Sequence, residues 1–460
     1  MAADLLTSPP AQQLTGSEIR QHVNRLAWPV ILENMFQTAL GVVDLAIVSR
    51  LGADAIAGVG TATQLLFLAI AVFTALATGT TVLVAHAIGA GNRRGADHAT
   101  KQSLILGVLV AAVLAVVGTR YASASIAIFK VPPAVVALGG VYMRISAQLS
   151  IFFVLMLVAA SALRGAGDTR SPMMVTGFIN IINGLLAYVL VFGKFGLPAL
   201  GVAGSAWGAA LARFVGCSIL LLLLLRKNGV TTIRGGWGWR PNLSIIHRLL
   251  EVGLPAMGEQ LVISGGFVIY GFMVISLGTV VYAAQRITFN AVGISFLPAL
   301  GFAVAATTLT GQSLGAHQPE QARRASMYAM WMSVIWMSCA GLILLVFAEP
   351  IMLIFTNDPK IDSIGVQALR VMAFSQPFFG ISNSLAGSLR GSGDTRFPMV
   401  AAMLGMWLIR LPVGWLIGIH LGFGLPGVYA SSVADAAVRS LLIWLRYKRG
   451  FQTRVRLAVA

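Results

Sequence analysis

Long apolar segments separated by short polar stretches recur along the whole chain. Many contain 18 or more residues with few charges, and most lack the polar face with a 3.6-residue period that a helix of a soluble protein shows. Such segments predict transmembrane helices, because about 20 apolar residues in a helix cross the hydrocarbon core of a bilayer. The pattern predicts twelve spans, over residues 26–49, 56–88, 100–119, 135–163, 172–193, 200–225, 247–276, 282–314, 325–347, 362–389, 397–419 and 427–446.

The spans form two sets of six, because the chain repeats itself at a constant offset of 226 residues. Residues 163–173 read LRGAGDTRSPM and residues 389–399 read LRGSGDTRFPM, and the same offset relates Pro29 to Pro255. Since six is an even number, both repeats have the same topology and are parallel. We predict an all-α integral membrane protein of 12 transmembrane helices. They form two parallel six-helix bundles related by a pseudo-two-fold axis along the membrane normal.

The predicted spans delimit five parts of the chain. The first part lacks the apolar core and cleavage site of a signal peptide, and the glycine-rich stretch between the bundles is typical of a linker. The parts are a cytoplasmic N-terminal tail (1–25), an N-terminal bundle (26–225), a cytoplasmic linker (226–246), a C-terminal bundle (247–446) and a basic cytoplasmic tail (447–460).

Composition and charge agree with a membrane protein. Of the 460 residues, 57% are hydrophobic and 10% are charged, against about 25% charged in soluble proteins. The net charge of +17 does not indicate nucleic-acid binding, because 21 Lys and Arg residues fall in the tails and loops of one side and 6 on the other. The positive-inside rule places both termini in the cytoplasm. Cys217 and Cys339 lie inside apolar segments, which argues against a disulfide framework.

Several short segments of the sequence carry a resemblance to a known protein family. Residues 28–29 (WP), 41–44 (GVVD) and 50–52 (RLG) belong to the first span and its end, and residues 295–301 (SFLPALG) and 311–316 (GQSLGA) to the eighth. Together with the two LRGxGDTR phrases, they resemble the multidrug and toxic compound extrusion (MATE) family over nearly the whole chain.

The resemblance implies a secondary-active multidrug efflux antiporter in the inner (plasma) membrane of a bacterial-type cell. Such a protein exports cationic or amphipathic compounds in exchange for protons or sodium, by alternating access to a central cavity. We expect small-molecule substrates, a lipid bilayer setting, no cofactor, no nucleic acid and a monomer. Asn183 matches an Asn of the family's fifth helix, but Ala187 replaces the Asp that often follows it, and Ala209 replaces a Thr of helix six. The implied ion site is therefore incomplete.

Charged and polar residues inside the first and fifth spans are the candidates for ion coupling, since a charge at a helix centre costs at least ~2.5–3.5 kcal/mol. Glu33, Gln37 and Asp44 lie within about 40° of one helical stripe, and Asn180 and Asn183 share another. We predict that these five residues form a cation or proton site in which protonation of Asp44 drives coupling. A Na⁺ ion at Asp44 and Asn183 is the alternative, and so is a polar network that only packs helices.

A second polar cluster is predicted in the C-terminal bundle from Glu259, Arg410 and Asp435, with Arg410 paired to either acid. We expect it to be mainly neutralised and structural, and the alternative is an acid that faces a cationic substrate. Arg213 and Arg439 recur at the same place in both repeats, which favours a scaffold role.

Methionine and aromatic side chains suit a promiscuous binding surface, because they adapt to different ligands. Packing inside the protein or contact with lipid is the alternative for each of them. The predicted substrate cavity contains Met35, Phe36, Met257, Tyr270, Phe289 and Phe296.

Three other functions remain alternatives. A very basic central cavity would favour a lipid or glycolipid flippase of a related fold, and the acids at positions 33, 44, 259 and 435 disfavour it. An integral-membrane enzyme would need a catalytic cluster, and the sequence offers neither metal-ligand spacing nor a nucleophile–base arrangement. A channel would show rings of like residues. We therefore predict no enzymatic activity.

Overall fold

The chain forms helices almost throughout in the computed structural model. The structure describes residues 15–226 and 229–459, with the backbone alone for residues 451–459. Residues 1–14 of the predicted N-terminal tail, residues 227–228 of the predicted linker and Ala460 lie outside the described residues. The α-helices are α1 (Gly16–Ser49), α2 (Ala53–Gly89), α3 (Arg93–Arg120), α4 (Ala122–Ala127), α5 (Pro133–Gln148), α6 (Ser150–Gly165), α7 (Arg170–Phe192), α8 (Val202–Leu224), α9 (Leu243–Ile275), α10 (Thr279–Gly315), α11 (Pro319–Val346), α12 (Ala348–Phe355), α13 (Pro359–Ala373), α14 (Gln376–Gly391), α15 (Arg396–Met403), α16 (Leu411–Gly414) and α17 (Gly424–Val459). Two π-helical segments are π1 (Leu404–Arg410) and π2 (Trp415–His420).

Each of the twelve predicted spans coincides with a helix or a run of helices, but the helices extend beyond the apolar residues. Helix α1 begins at Gly16, whereas the span is predicted from residue 26. A capping box sets this start: the Thr15 amide donates to Glu18 Oε2 at 2.7 Å and the Glu18 amide donates to Thr15 Oγ1 at 3.4 Å. Helix α17 likewise continues to Val459, past the predicted end of the last span. Apolar patterns locate the membrane-crossing part of a helix and not its polar ends.

The fourth and tenth spans are each broken into two helices. Helices α5 and α6 meet at Leu149 with a bend of 50°. Helices α13 and α14 are separated at Ser375, just before Pro377, which lacks an amide hydrogen. Among the described residues, ten helices are long and apolar enough to cross a membrane, or eleven when α5 and α6 count as one span. The α13–α14 pair is not in this set, and α14 buries polar side chains such as Gln376 and Ser384.

The eleventh span adopts π-helical winding in two places. Segment π1 ends at Arg410, the short helix α16 contains Pro412, and π2 follows. A proline inside a helix removes one backbone donor and displaces the preceding turn, and local π-winding is one way to accommodate this. Because π-helical turns occur often at functional sites, this span is of interest for the polar residues it carries.

Packing groups the described residues into two units, which we name by the repeat that supplies most of each. The N-terminal unit comprises Leu32–Val84 and Arg93–Met257. The C-terminal unit comprises the described part of Met1–Ile31, Ala85–Asn92 and the described part of Gly258–Ala460. The divisions inside α1 and α9 fall after Ile31 and after Met257, which are related by the 226-residue offset. The packing units thus differ from the ranges 26–225 and 247–446 that the duplication predicts.

Corresponding helices in the two units make the same contact. In the N-terminal unit, Thr81 Oγ1 donates to the Ser161 carbonyl at 3.1 Å. In the C-terminal unit, Thr307 Oγ1 donates to the Gly387 carbonyl at 2.9 Å. Both members of each pair are related by the repeat offset. The duplication in sequence is therefore also a duplication of interior packing.

The linker is tied to α3 by a buried lysine, and we call this contact the linker latch. Lys101, 2% exposed, donates from Nζ to the carbonyls of Arg234, Gly235 and Trp237 at 3.1, 3.2 and 2.7 Å. Gln102 donates to two further linker carbonyls at 2.8 Å each. An ammonium group that satisfies three carbonyls replaces the hydration it loses on burial. The described part of the linker is thus fixed within the N-terminal unit.

Replacing Lys101 with Met tests the linker latch. The substitution keeps an unbranched side chain but removes the charged donor of three hydrogen bonds, and a hydrogen bond to a charged group contributes about 1.5–3 kcal/mol. We expect a thermal midpoint several degrees lower in detergent and faster tryptic cleavage after Arg234. Lys194→Met, at an exposed position, is the matched control and should change neither value. Unchanged cleavage in Lys101→Met would show that the latch does not hold the linker.

Candidate functional site

A buried ion pair links α1 to the end of α6 in the N-terminal unit. Glu33 is 3% exposed, and its Oε1 lies 2.6 Å from Arg164 Nη2. Thr176 of α7 also donates to this oxygen, at 3.2 Å. The arginine belongs to the LRGAGDTR phrase, so that phrase supplies the counter-charge of Glu33. Glu33 is thus the ion-pair partner of Arg164. We therefore do not count Glu33 among the residues that act with Asp44 in ion coupling.

The C-terminal unit repeats this ion pair. Arg390 Nη2 lies 2.7 Å from Oε1 and 2.8 Å from Oε2 of Glu259. The prediction that Glu259 joins Arg410 and Asp435 is therefore wrong: Glu259 pairs with the arginine of the second LRGxGDTR phrase. A sequence comparison at the repeat offset contains the signal for this pairing, because Glu33, Arg164, Glu259 and Arg390 form two equally spaced pairs.

A carboxylate and an amide meet between α1 and α7, as predicted. Asn183, 3% exposed, donates from Nδ2 to both carboxylate oxygens of Asp44 at 3.4 Å. Asp44 itself is half-buried. Arg213 of α8 attracts the Asp44 carboxylate electrostatically. The hydroxyl of Tyr142 is hydrogen-bonded to Thr63 and interacts electrostatically with both Arg213 and Asp44. We call Asp44, Asn183, Arg213 and Tyr142 the Asp44 site.

The Asp44 site retains unused polar atoms. Oδ1 of Asn183 and Nδ2 of Asn180 are buried and have no hydrogen-bond partner within the described part of the chain. Buried polar atoms are nearly always satisfied in native proteins, and exceptions call for an explanation such as a bound ion or water. Asn180 lies one helical turn before Asn183 on α7, whereas Gln37 is exposed on α1. Asn180 therefore fits the predicted group better than Gln37 does.

Packing fills the position where the family often has a second carboxylate. Ala187 is 0% exposed and packs against Ile47 and Val191. Helix α8 approaches its backbone closely, since a Cβ atom added to Gly208 would lie 2.8 Å from the Ala187 nitrogen. A carboxylate at residue 187 would need space that α8 occupies. The Asp44 site is therefore built around one carboxylate.

Two arginines share one carboxylate in the C-terminal unit. Arg439 Nη2 lies 2.8 Å and Arg410 Nη1 lies 3.9 Å from Asp435 Oδ2. The guanidinium carbon of Arg410 lies 4.8 Å from the ring centroid of Phe267 and 4.7 Å from that of Tyr270. The predicted pairing of Arg410 with Asp435 is observed, and we call Arg410, Asp435 and Arg439 the arginine trio.

The residues predicted to line a substrate cavity have different environments. Tyr270 is 1% exposed and stacks on Tyr429 with ring centroids 6.5 Å apart, so it is a core residue and not a cavity wall. Met35 and Phe36 of the N-terminal unit and Phe289 of the C-terminal unit are exposed. Met257 and Phe296 are half-buried in the N- and C-terminal units respectively.

The N-terminal unit contains an apolar cavity of about 380 Å³ that the sequence does not reveal. Phe73, Met143 and Phe153 contribute to its wall, together with Arg213, whose guanidinium carbon lies 4.9 Å from the Phe153 ring centroid. Arg213 therefore belongs both to the Asp44 site and to the cavity wall. Sequence reasoning missed this role because the repetition of Arg213 as Arg439 favoured a scaffold.

A double-mutant cycle tests the two repeated ion pairs. Removing one partner of a buried pair is strongly destabilising because the other charge remains buried. We expect Glu33→Gln/Arg164→Gln to unfold at a higher temperature than additive single substitutions imply, with a coupling of about 1–3 kcal/mol. The Glu259/Arg390 cycle should give less, since those side chains are 13% and 22% exposed against 4% and 16% for Glu33 and Arg164. Additive effects in both cycles would contradict the assignment.

The MatE family model matches the chain twice, over residues 29–189 and 255–416, and together these segments exceed half of its length. The two matches begin at positions related by the repeat offset. Each of the two sequence repeats therefore matches the family model separately.

Similar proteins span nearly the full chain. The "Probable multidrug resistance protein NorM" of Thermotoga maritima is 33% identical and covers 94% of this chain and 93% of that protein. The "Multidrug resistance protein NorM" of Burkholderia vietnamiensis is 31% identical, with coverages of 91% and 92%. A solved structure described as an outward-facing conformation of a multidrug resistance MATE family transporter has a TM-score of 0.90 at 21% identity, with 99% of both chains covered.

These findings confirm the predicted family and fold class, with two sets of six helices, and exclude the membrane-enzyme alternative. The chain belongs to the MatE family of multi-pass membrane transporters.

Proposed function

We propose that the protein is a secondary-active efflux antiporter that exports cationic or amphipathic compounds in exchange for protons. It works by alternating access as a monomer in the inner (plasma) membrane, with both termini and the linker 226–246 in the cytoplasm. The relatives named multidrug resistance proteins support the substrate class. The excess of Lys and Arg in the loops of one side supports the orientation.

The single-carboxylate geometry of the Asp44 site carries the choice of proton. Sodium binding in transporters uses several oxygen atoms, often including backbone carbonyls of unwound helices. Helix α1 is continuous through Asp44, so its carbonyls are engaged in helical hydrogen bonds. Ala187 supplies no carboxylate, and Asn183 offers Oδ1 as its one acceptor. A proton needs only the Asp44 carboxylate itself.

Arg213 provides the physical link between proton and substrate. When Asp44 is ionised, its charge offsets that of Arg213, and the cavity wall beside Phe153 is close to neutral. A proton on Asp44 removes this compensation, and Arg213 then repels a cation in the cavity. Aromatic side chains such as Phe73 and Phe153 attract a cation through their ring faces at any pH. The net charge of Asp44 and Arg213 changes with pH, and it therefore determines whether the cation remains bound in the cavity. Proton uptake thereby expels the cationic compound.

Asp44→Asn is expected to abolish exchange, because the amide cannot gain or lose a proton. In vesicles that contain the purified protein, an imposed proton gradient should move ethidium, a fluorescent cation, through the wild type and at least tenfold more slowly through the variant. Asp54→Asn removes an exposed acid of the same unit and should transport like the wild type. Undiminished proton-driven transport by Asp44→Asn would refute the proposal.

The choice of gradient separates the remaining alternatives. Transport driven by a sodium gradient and not by a proton gradient would assign the Asp44 site to Na⁺. If neither gradient moves ethidium through the wild type, a lipid-linked substrate and flippase activity become the next test.

Arg213→Gln is expected to remove the repulsion that expels the cation when Asp44 is protonated. Ethidium binding to the wild type should weaken as the pH falls, since protonated Asp44 leaves the charge of Arg213 uncompensated. At a pH where Asp44 is protonated, the variant should bind ethidium more tightly than the wild type does, because no positive charge then faces the cation. Fluorescence titration of the two detergent-solubilised proteins measures this difference. Arg144→Gln, at an exposed site of the same unit, is the control for loss of one positive charge. Equal ethidium affinities of Arg213→Gln and wild type at a pH where Asp44 is protonated would exclude Arg213 from the coupling.

A further inference from the structure

The arginine trio carries more positive than negative charge in the interior of the C-terminal unit. Two guanidinium groups share the carboxylate of Asp435, which is 0% exposed. Arg439 holds this carboxylate in a close bidentate contact, at 2.9 and 2.8 Å from its two oxygens, whereas Arg410 lies 3.9 Å away. Asp435 and Arg439 therefore neutralise each other, and Arg410 is left with a largely uncompensated charge.

One N–H donor of Arg410 is not used by the residues that the structure describes. Its side chain is 6% exposed, and its buried Nε atom has no hydrogen-bond partner among the residues that the structure describes. The rings of Phe267 and Tyr270 attract the guanidinium through their faces but accept no hydrogen bond from Nε. A buried cationic group with an unsatisfied donor is unfavourable unless an anion completes its environment.

The repeat shows that this surplus is specific to one unit. At the repeat offset, Arg410 corresponds to Gly184 and Arg439 corresponds to Arg213. The N-terminal unit therefore sets one arginine, Arg213, against one acid, Asp44. Arg410 is therefore an addition in the C-terminal unit. The packing of the repeat does not require it, because the N-terminal unit has glycine at the corresponding position 184.

The surroundings of the trio suit a polar ligand. The Tyr270 hydroxyl interacts with Arg410 and lies 3.5 Å from the hydroxyl of Ser432. Gly405, in π1, leaves space for the Asp435–Arg439 pair, because a Cβ atom there would contact Asp435 Oδ1. Arg410 is the last residue of the same π-helical segment. The eleventh span thus departs from α-helical winding at the charged residues that would hold the ligand.

We propose that Arg410 binds a carboxylate group in the C-terminal unit, with the Asp435–Arg439 pair holding it in place. A guanidinium fork matches the two oxygens of a carboxylate better than it matches a spherical ion. The carboxylate belongs to a transported zwitterionic compound or to a free organic acid. The first source rests on the proposed export function, and the site itself does not.

Binding of a paired set of probes tests this site in the full-length protein. Norfloxacin carries a carboxylate and a cationic amine, and its methyl ester keeps the amine and lacks the carboxylate. We expect wild type in nanodiscs of zwitterionic lipid to bind norfloxacin at least tenfold more tightly than the ester. Arg410→Gln should bind both with the affinity of the ester, because it loses one charge-assisted contact. Arg370→Gln, at an exposed position of the same unit, should behave like the wild type.

The remaining outcomes separate this site from the proposed export function. Displacement of norfloxacin by acetate from the wild type supports the site and shows that a free acid can fill it, whereas no displacement supports the substrate as the source. Retained discrimination in Arg410→Gln, equal loss in Arg370→Gln, or no norfloxacin binding to the wild type would overturn the proposal. A wild-type thermal midpoint and size-exclusion profile for Arg410→Gln show that the variant folds. Absence of ethidium transport by the wild type would contradict the export function and leave the binding result intact.

Discussion

A charge buried in a bilayer protein needs a partner of opposite sign, because leaving it alone costs at least ~2.5–3.5 kcal/mol at a helix centre. This constraint organises the interior of both units. Glu33 and Glu259 receive arginines from the two LRGxGDTR phrases, at 2.6 and 2.7 Å. Asp435 is held by Arg439, and Asp44 by Asn183 and the more distant Arg213. Asp44 is the least tightly paired of the four acids, which suits a group that exchanges a proton.

The duplication separates scaffold from specialisation. Contacts present in both units, such as the Glu–Arg pairs, hold helices together wherever the fold occurs. Contacts present in one unit distinguish the two halves. Asp44 has Tyr270 as its counterpart, and Arg410 has Gly184. The N-terminal unit thus carries a loosely held acid, and the C-terminal unit carries an arginine with an unused donor. We infer that each unit adapted the same scaffold to a different ligand charge.

The sequence predicts the helices, because apolar length is a local property. It also indicates the pairing of Asp44 with Asn183, 139 positions apart, because both are polar residues inside apolar spans and Asn183 matches an Asn of the family's fifth helix. It does not predict the partner of Glu259, because Arg390 falls just outside the predicted span 362–389 and the residues proposed for that cluster all lie inside spans. The contribution of Arg213 to a cavity wall and the burial of Tyr270 also depend on how helices pack. The Thr15–Glu18 capping box that starts α1 is present in the sequence as a Thr-x-x-Glu motif. An analysis of apolar spans does not detect it, because the polar first turns of the helix lie outside the apolar pattern. The break at Leu149 carries no strong local signal, whereas Pro412 marks the change of winding in the eleventh span.

In the proposed mechanism, a proton on Asp44 excludes a cation from the cavity that Arg213 lines. Counting the protons released when ethidium binds to the purified protein tests this claim directly, by calorimetry in buffers of different ionisation enthalpy near the midpoint of the pH dependence. Linkage predicts a net release that approaches one proton per bound cation as the pH falls and that sodium leaves unchanged. Ethidium binding without proton release at any pH, and with an affinity set by sodium concentration, would contradict the account.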